Sequence, residues 1–344
     1  MRSPSGLLSA LLAASRAATP AAASASLRAA RAVVLAPLLG SAAMGCSLST
    51  APDAADAEAG TSQAALVTLE RSSTDGARVE VVARVVRAHG GPLDEAALRI
   101  AGLGDALPVL GTCVPVDGPG LSGTREGGLA GTAASRSLEL VELGGVALEV
   151  GDTFRAPLVA RHVPDPAGVL SGVVYNARLT PEGAGLLAPR ATVTVRAQPS
   201  PGDVEGAAFT ATVAVPRDVA DVRLAGQDPR ELTSLISLTS LTSLGAAELT
   251  WAADADESSA TIGVEVRPSD ATRTAYRCAF PDTGRALLPA AALSADEGTL
   301  VLRRVQRERF RLEGHAGVRR EGEGEIRFDA VRALPYRRAR ERAL

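Results

Sequence analysis

The stretch Phe209-Thr-Ala-Thr-Val-Ala-Val215 decides the fold class. Phe209, Ala211, Val213 and Val215 fall on one face of an extended chain, and Thr210 and Thr212 fall on the other. That period of two, carried by β-branched residues, marks a half-buried strand. Ala191-Thr-Val-Thr-Val-Arg196 repeats the pattern, as do Thr261-Ile-Gly-Val-Glu-Val266 and Thr299-Leu-Val-Leu-Arg303. Arg78-Val-Glu-Val-Val-Ala-Arg-Val-Val-Arg87, Ser137-Leu-Glu-Leu-Val-Glu-Leu143 and Val146-Ala-Leu-Glu-Val150 mix apolar and charged residues in the same rhythm.

Glycine and proline turns separate these runs, at Gly90-Gly-Pro92, Asp117-Gly-Pro-Gly120, Gly144-Gly145, Pro164-Asp-Pro166 and Pro199-Ser-Pro-Gly202. Many short strands with frequent turns predict an all-β chain built as sandwiches or partial barrels. The cluster at Pro199 is the best domain boundary. Two β-sandwich domains are expected, over 64–199 and 200–344. Short helices are expected at Leu93–Leu98, Asp218–Leu224 and Leu287–Leu293. Leu232-Thr-Ser-Leu-Ile-Ser-Leu-Thr-Ser-Leu-Thr-Ser-Leu244 sets Leu at every third residue, a period that fits neither helix nor strand. It reads as a local repeat in a loop, or as an exposed apolar contact.

Composition narrows the function. The net charge is −3, with no lysine and one asparagine, Asn176. A nucleic-acid binder carries a strong basic excess, so that class is set aside. Aromatic residues make up 3% of the chain, so the core must be built from Val, Leu and Ala. Arg303 to Leu344 holds thirteen arginines against seven acidic residues. It could attract anionic envelope lipid or polysaccharide, or form the polar face of terminal strands.

The amino terminus carries the clearest signal. Arg28 and Arg31 precede the uncharged run Ala32–Met44, which is interrupted by Pro37 and followed by Gly45 and Cys46. The run is too short for a spanning helix, which needs about 20 apolar residues, and suits a secretory signal. This arrangement resembles the signal peptide and lipobox of bacterial lipoproteins, with Ala43 where Leu is usual. The resemblance implies cleavage after residue 45, acylation of Cys46 and a membrane as partner. Several acyl chains anchor firmly because each buried CH₂ contributes about 0.8 kcal/mol. By the same analogy Ser47 favours the outer membrane. A cleaved, secreted protein is the alternative, since Ser41-Ala-Ala43 also looks like a cleavage site. Ser49–Gln63 lacks large apolar residues, and residues 46–63 read as a flexible tether. Residues 1–27 read as sequence upstream of the true start, with a transit peptide as the rival.

With Cys46 acylated, Cys113 and Cys278 remain. An even pair outside the cytosol either bridges or stays as two buried thiols.

Other candidates are weaker. Asp282-Thr-Gly284 matches the aspartic-protease triplet, but Arg285 stands where a small residue is wanted and Pro281 marks a turn. Tyr276-Arg-Cys278, with Trp251 upstream, resembles the Tyr-x-Cys of immunoglobulin domains and implies a sandwich. Asp254-Ala-Asp-Glu257 offers oxygens for Ca²⁺ without an EF-hand frame. His89, His162 and His315 are too scattered for zinc. No metal or other cofactor is expected. The chain therefore reads as a lipid-anchored cell-envelope protein, non-catalytic, binding or scaffolding through an unidentified protein or polysaccharide partner. The alternatives are a secreted hydrolase with a scattered site, since triad members can be distant, and an envelope lipid carrier.

Overall fold

The alternating stretches fold as strands. The computed structural model of the chain describes residues 62–73, 78–89, 93–103, 107–116, 137–164, 170–199, 207–229, 246–254, 260–314 and 322–337. All belong to one unit, Ala55–Leu344. The signal segment, Cys46 and the Leu232–Leu244 repeat lie outside the described residues.

β1 (Ser62–Ser72) and β2 (Arg78–His89) pair antiparallel, burying Val67 and Leu69 against Val79, Val81 and Ala83. Ser62 and Gln63, expected to end the tether, already pair with Ala88 and Arg87. β16 (Glu297–Gly314) and β17 (Gly322–Arg337) form a long antiparallel ribbon. At about 3.3 Å per residue, β16 runs about 60 Å. β17 adds to β1 in parallel, so the large sheet is mixed.

β4 (Ser137–Leu140) and β8 (Leu170–Leu179) pair with β2 on its other side, and β7 (Val159–Val163) edges β8. A second layer contains β6 (Phe154–Pro157), β5 (Gly145–Val150), β9 (Thr192–Gln198) and β10 (Ala207–Ala214) in that order. The layers join twice. Ala207 and Ala208 pair with Gly314 and Glu313 of β16. β6 runs into β7 through the buried Leu158, whose N–H donates to Val146 O at 2.8 Å. The two ends of the path of paired strands, β6 and β7, are thus consecutive in the chain, and the layers enclose a first core of Val, Ala, Leu and Phe side chains. A strand bend is a common way to turn such a corner.

The second core lies beyond β10. β11 (Arg223–Leu224), β12 (Ala246–Thr250) and β15 (Arg285–Pro289) form a small sheet. It faces the large sheet where β3 (Thr112–Val116), β14 (Ala275–Pro281) and β13 (Thr261–Pro268) extend outward from β16. Leu249, Trp251 and Leu288 pack there with Ile262, Val264, Val266, Phe280, Leu300 and Leu302. One face of the β16–β17 ribbon serves both cores, with Leu300, Leu302, Leu334 and Tyr336 in the second and Leu312, Ile326 and Phe328 in the first.

Pro199-Ser-Pro-Gly202, the expected boundary, connects two strands that pair with each other, β9 and β10. The cores part later, between Val215 and Val219. The segment between them runs outside any strand, and buried carbonyls without strand partners need other donors. Arginines supply them. Nη2 of Arg71 donates to Pro216 O at 2.9 Å, and Nη1 of Arg332 to Val219 O at 2.9 Å. Nη1 of Arg304 donates to the carbonyls of Arg217 (3.2 Å) and Asp218 (3.1 Å). Capture of four successive carbonyls by side chains explains why Asp218–Leu224 is no helix.

Of the other expected helices, Leu93–Leu98 forms as α1 (Glu95–Ile100), capped by Asp94, whose carboxylate accepts from the Ala97 N–H at 2.8 Å. Leu287–Leu293 instead divides into the end of β15 and a 3₁₀ turn, Ala290–Leu293. A second short helix, α2 (Pro181–Gly185), follows β8.

Arg304 is 1% exposed, and its Nε lies 2.7 Å from Asp282 Oδ2, whose side chain is equally buried. Removing one partner of a buried pair typically costs about 3–5 kcal/mol. Arg304→Met should therefore lose about that much in equilibrium urea unfolding. Arg304→Met with Asp282→Leu should recover part of the loss, because each unpaired carbonyl still costs about 1–3 kcal/mol.

Candidate functional site

Strand alternation leaves one face of the large sheet pointing away from both cores. Arg277 of β14, Gly263, Glu265 and Arg267 of β13, Arg303 and Val305 of β16, Arg327 and Asp329 of β17, and Thr68 and Glu70 of β1 line it. The register sets them side by side: Gly263 opposes Arg303, Val305 opposes Asp329, and Asp329 opposes Glu70.

The described residues between α1 and β3, 101–103 and 107–111, lie along this face as a strap. Arg84 Nη1 donates to Gly102 O at 2.9 Å. Leu107 seats over Gly263, where a Cβ would stand 3.0 Å from Leu107 Cδ2. The Gly111 N–H donates to Ala279 O at 2.7 Å. Two residues on, Cys113 is bonded to Cys278, its register partner across β3 and β14. A cleft of about 200 Å³ opens beside Leu107, and a second of about 160 Å³ beside Gly102. They share Glu70, Arg327 and Asp329.

Charge dominates the cleft. Arg303 Nη1 lies 2.6 Å from Glu70 Oε2 and 3.8 Å from Asp329 Oδ2. Arg327 Nη2 lies 3.0 Å from Asp329 Oδ2. Arg267 grips both oxygens of Glu265, at 2.7 and 2.9 Å. The carboxyls respond in opposite senses. Burial pushes Asp329 above its ordinary value, and the nearby Arg327 and Arg303 charges do not reverse this. Burial also acts to raise Glu265, but the Arg267 hydrogen bond and the charges of Arg267, Arg277 and Arg303 outweigh it and hold Glu265 low.

The residues singled out by sequence are placed as follows. Asp282 is no protease carboxylate: it accepts from Trp251 Nε1 at 2.6 Å and from the Asp254 N–H at 3.3 Å, and it faces Arg304. Gly284, at φ +82°, completes the turn. Tyr276 packs on the second core. The tyrosine that ties down backbone is Tyr175, whose hydroxyl donates to Leu143 O and accepts from the Leu143 N–H, each at 2.6 Å. Asp254 has a fully buried side chain whose Oδ1 lies 3.7 Å from Arg217 Nε, and neither of its oxygens accepts a hydrogen bond. Asp256, Glu257 and His315 lie outside the described residues. His162 is exposed on β7, and His89 Nε2 lies 3.2 Å from Glu139 Oε2. Among the described residues, no three His, Cys, Asp or Glu side chains gather as a metal site. Of the basic C-terminal stretch, Arg303, Arg304, Arg307, Arg309 and Arg311 lie on β16, and Arg327, Arg332 and Arg337 on β17.

Sequence reading missed the cleft because its members come from separate strands. The available signal was charge at every second residue, as in Glu265-Val-Arg267 and Arg327-Phe-Asp329.

No protein-family model matches the chain, and no curated protein is significantly similar to it.

The two carboxyls predict opposite pH effects. Asp329, raised when folded, contributes stability below its unfolded value of 3.8 that is lost as pH rises through the folded value. Glu265, lowered when folded, contributes stability above 4.5 that is lost as pH falls through the folded value. In urea midpoints measured against pH, Asp329→Asn should remove the decline above 3.8, and Glu265→Gln should remove the acid loss. Identical pH profiles for both variants and the parent would contradict the assignment.

Proposed function

We propose that the protein is a lipid-anchored cell-envelope protein, held by acylated Cys46, with a non-catalytic binding or scaffolding role at the charged cleft. The pairing of Cys113 with Cys278 carries this reading. It uses two of three cysteines, leaves Cys46 as the odd one, and fits an oxidising compartment. β1 begins at Ser62, so residues 46–61 are available as tether. No helix among the described residues is long and apolar enough to cross a membrane. The architectural half of the proposal keeps two sandwich-like modules, one per core, sharing the β16–β17 ribbon.

The test is intact-mass analysis of the chain from a membrane fraction. A mature chain beginning at acylated Cys46 is expected, and Cys46→Ala should move the protein to the soluble fraction. An unmodified Cys46 in a detergent-free soluble fraction would refute the anchor.

A further inference from the structure

The Cys113–Cys278 bond joins two segments that are held to the fold very unequally. Among the described residues, β3 pairs with β14 alone and forms an edge of the large sheet. None of the five residues of β3 is buried. Cys113 is its contribution to the second core, and that side chain packs there only in part. Just before β3, Val109 is 78% exposed and Leu110 is 56% exposed. They lie at a turn that Thr112 closes, its N–H and hydroxyl both donating to Val109 O. Leu107 on Gly263 and the Gly111 N–H on Ala279 O complete the described ties of residues 107–111 to the sheet. A segment with so little apolar burial opens locally at low cost.

β14 is secured without β3. Cys278, Ala279 and Phe280 are buried. β14 pairs with β13 over residues 261–266, and β13 pairs in turn with β16. The two sulfurs also differ in access: Cys278 is fully buried, whereas Cys113 is half-buried at the edge. A reductant therefore meets Cys113 first. Accessible disulfides belong to the labile, regulatory kind, unlike those enclosed in a core.

We propose that Cys113–Cys278 is a redox latch: reduction by a dithiol frees residues 107–116 from the sheet while both cores stay folded. A thiolate of the reductant attacks Cys113 Sγ, forms a mixed disulfide and releases Cys278 as a thiolate, which takes up a proton. The reductant's second thiol loses its proton and displaces the Cys113 sulfur, which is protonated in turn. The dithiol leaves as a disulfide, and the chain gains two electrons and two protons. Release bares the edge of β14 and withdraws Leu107 from the cleft that it lines. As a control on binding, the latch rests on the cleft being the working surface; the release itself does not.

The test treats the full chain, in detergent and without denaturant, with dithiothreitol, and blocks free thiols with iodoacetamide before peptide mapping. Cys113 and Cys278 should both be alkylated. Hydrogen exchange of the reduced chain should quicken about ten-fold or more in peptides covering 107–116, and stay within about two-fold of the parent across 298–305 and 326–334. Trp251 fluorescence in the absence of urea should not change. The urea midpoint should fall, because a bond spanning 165 residues constrains the unfolded chain. Oxidised glutathione should restore slow exchange at 107–116. Cys113→Ser combined with Cys278→Ser should match the reduced chain without any reductant. Alkylation that needs urea, unchanged exchange at 107–116 after reduction, or loss of protection across the ribbon together with 107–116 would each overturn the latch. Such a failure, with Cys46 acylated, leaves the envelope reading standing.

Discussion

The buried guanidinium of Arg304 holds the two halves of this protein to one another. It projects from the middle of the β16–β17 ribbon, where the apolar face changes from one core to the other. It contacts the connecting segment through the carbonyls of Arg217 and Asp218, and the second core through Ala252 O at 2.5 Å and Asp282. Arg71 continues the contact from the first core: its side chain lies over Phe328 and donates to Leu187 O at 2.6 Å while pairing with Asp218 at 2.8 Å. An apolar residue at either position would pack, but it could not supply donors to a strandless segment. A lysine would bring one ammonium in place of a planar fork.

The same ribbon positions the cleft. Its inner face fixes Arg304 in the junction, so period-two alternation sends Arg303 and Val305 to the outer face. Junction and cleft are therefore two sides of one strand. The strap across the outer face is tied at Arg84, Gly263 and Cys278, so the disulfide fixes the cleft wall as well as the edge strand.

Much of the fold was legible. The Phe209–Val215, Thr261–Val266 and Arg78–Arg87 patterns are strands because their buried faces repeat every two residues. Two strands that escaped notice show less contrast in sequence. β17 mixes Gly, Glu and Arg because its outer face is charged, and β7 is almost wholly exposed. The Asp218 segment could not be read from propensity because its conformation answers to arginines far away in sequence, Arg304 being 86 residues distant. The cleft was illegible for a related reason. Glu70 and Arg303 are 233 residues apart, and only strand order brings them together. Cysteine count, by contrast, needed no register: three residues leave one over when two pair.

The most direct test of the clamp uses the single tryptophan. Trp251 lies in the second core and donates to Asp282, so its fluorescence reports that half, while far-UV circular dichroism reports the whole chain. In urea the two signals should change together in the parent. With Arg71→Met and Arg304→Met combined, the fluorescence transition should separate from the circular dichroism transition, because the cores then unfold independently. Coincident transitions in the double variant, at an unchanged midpoint, would contradict the account.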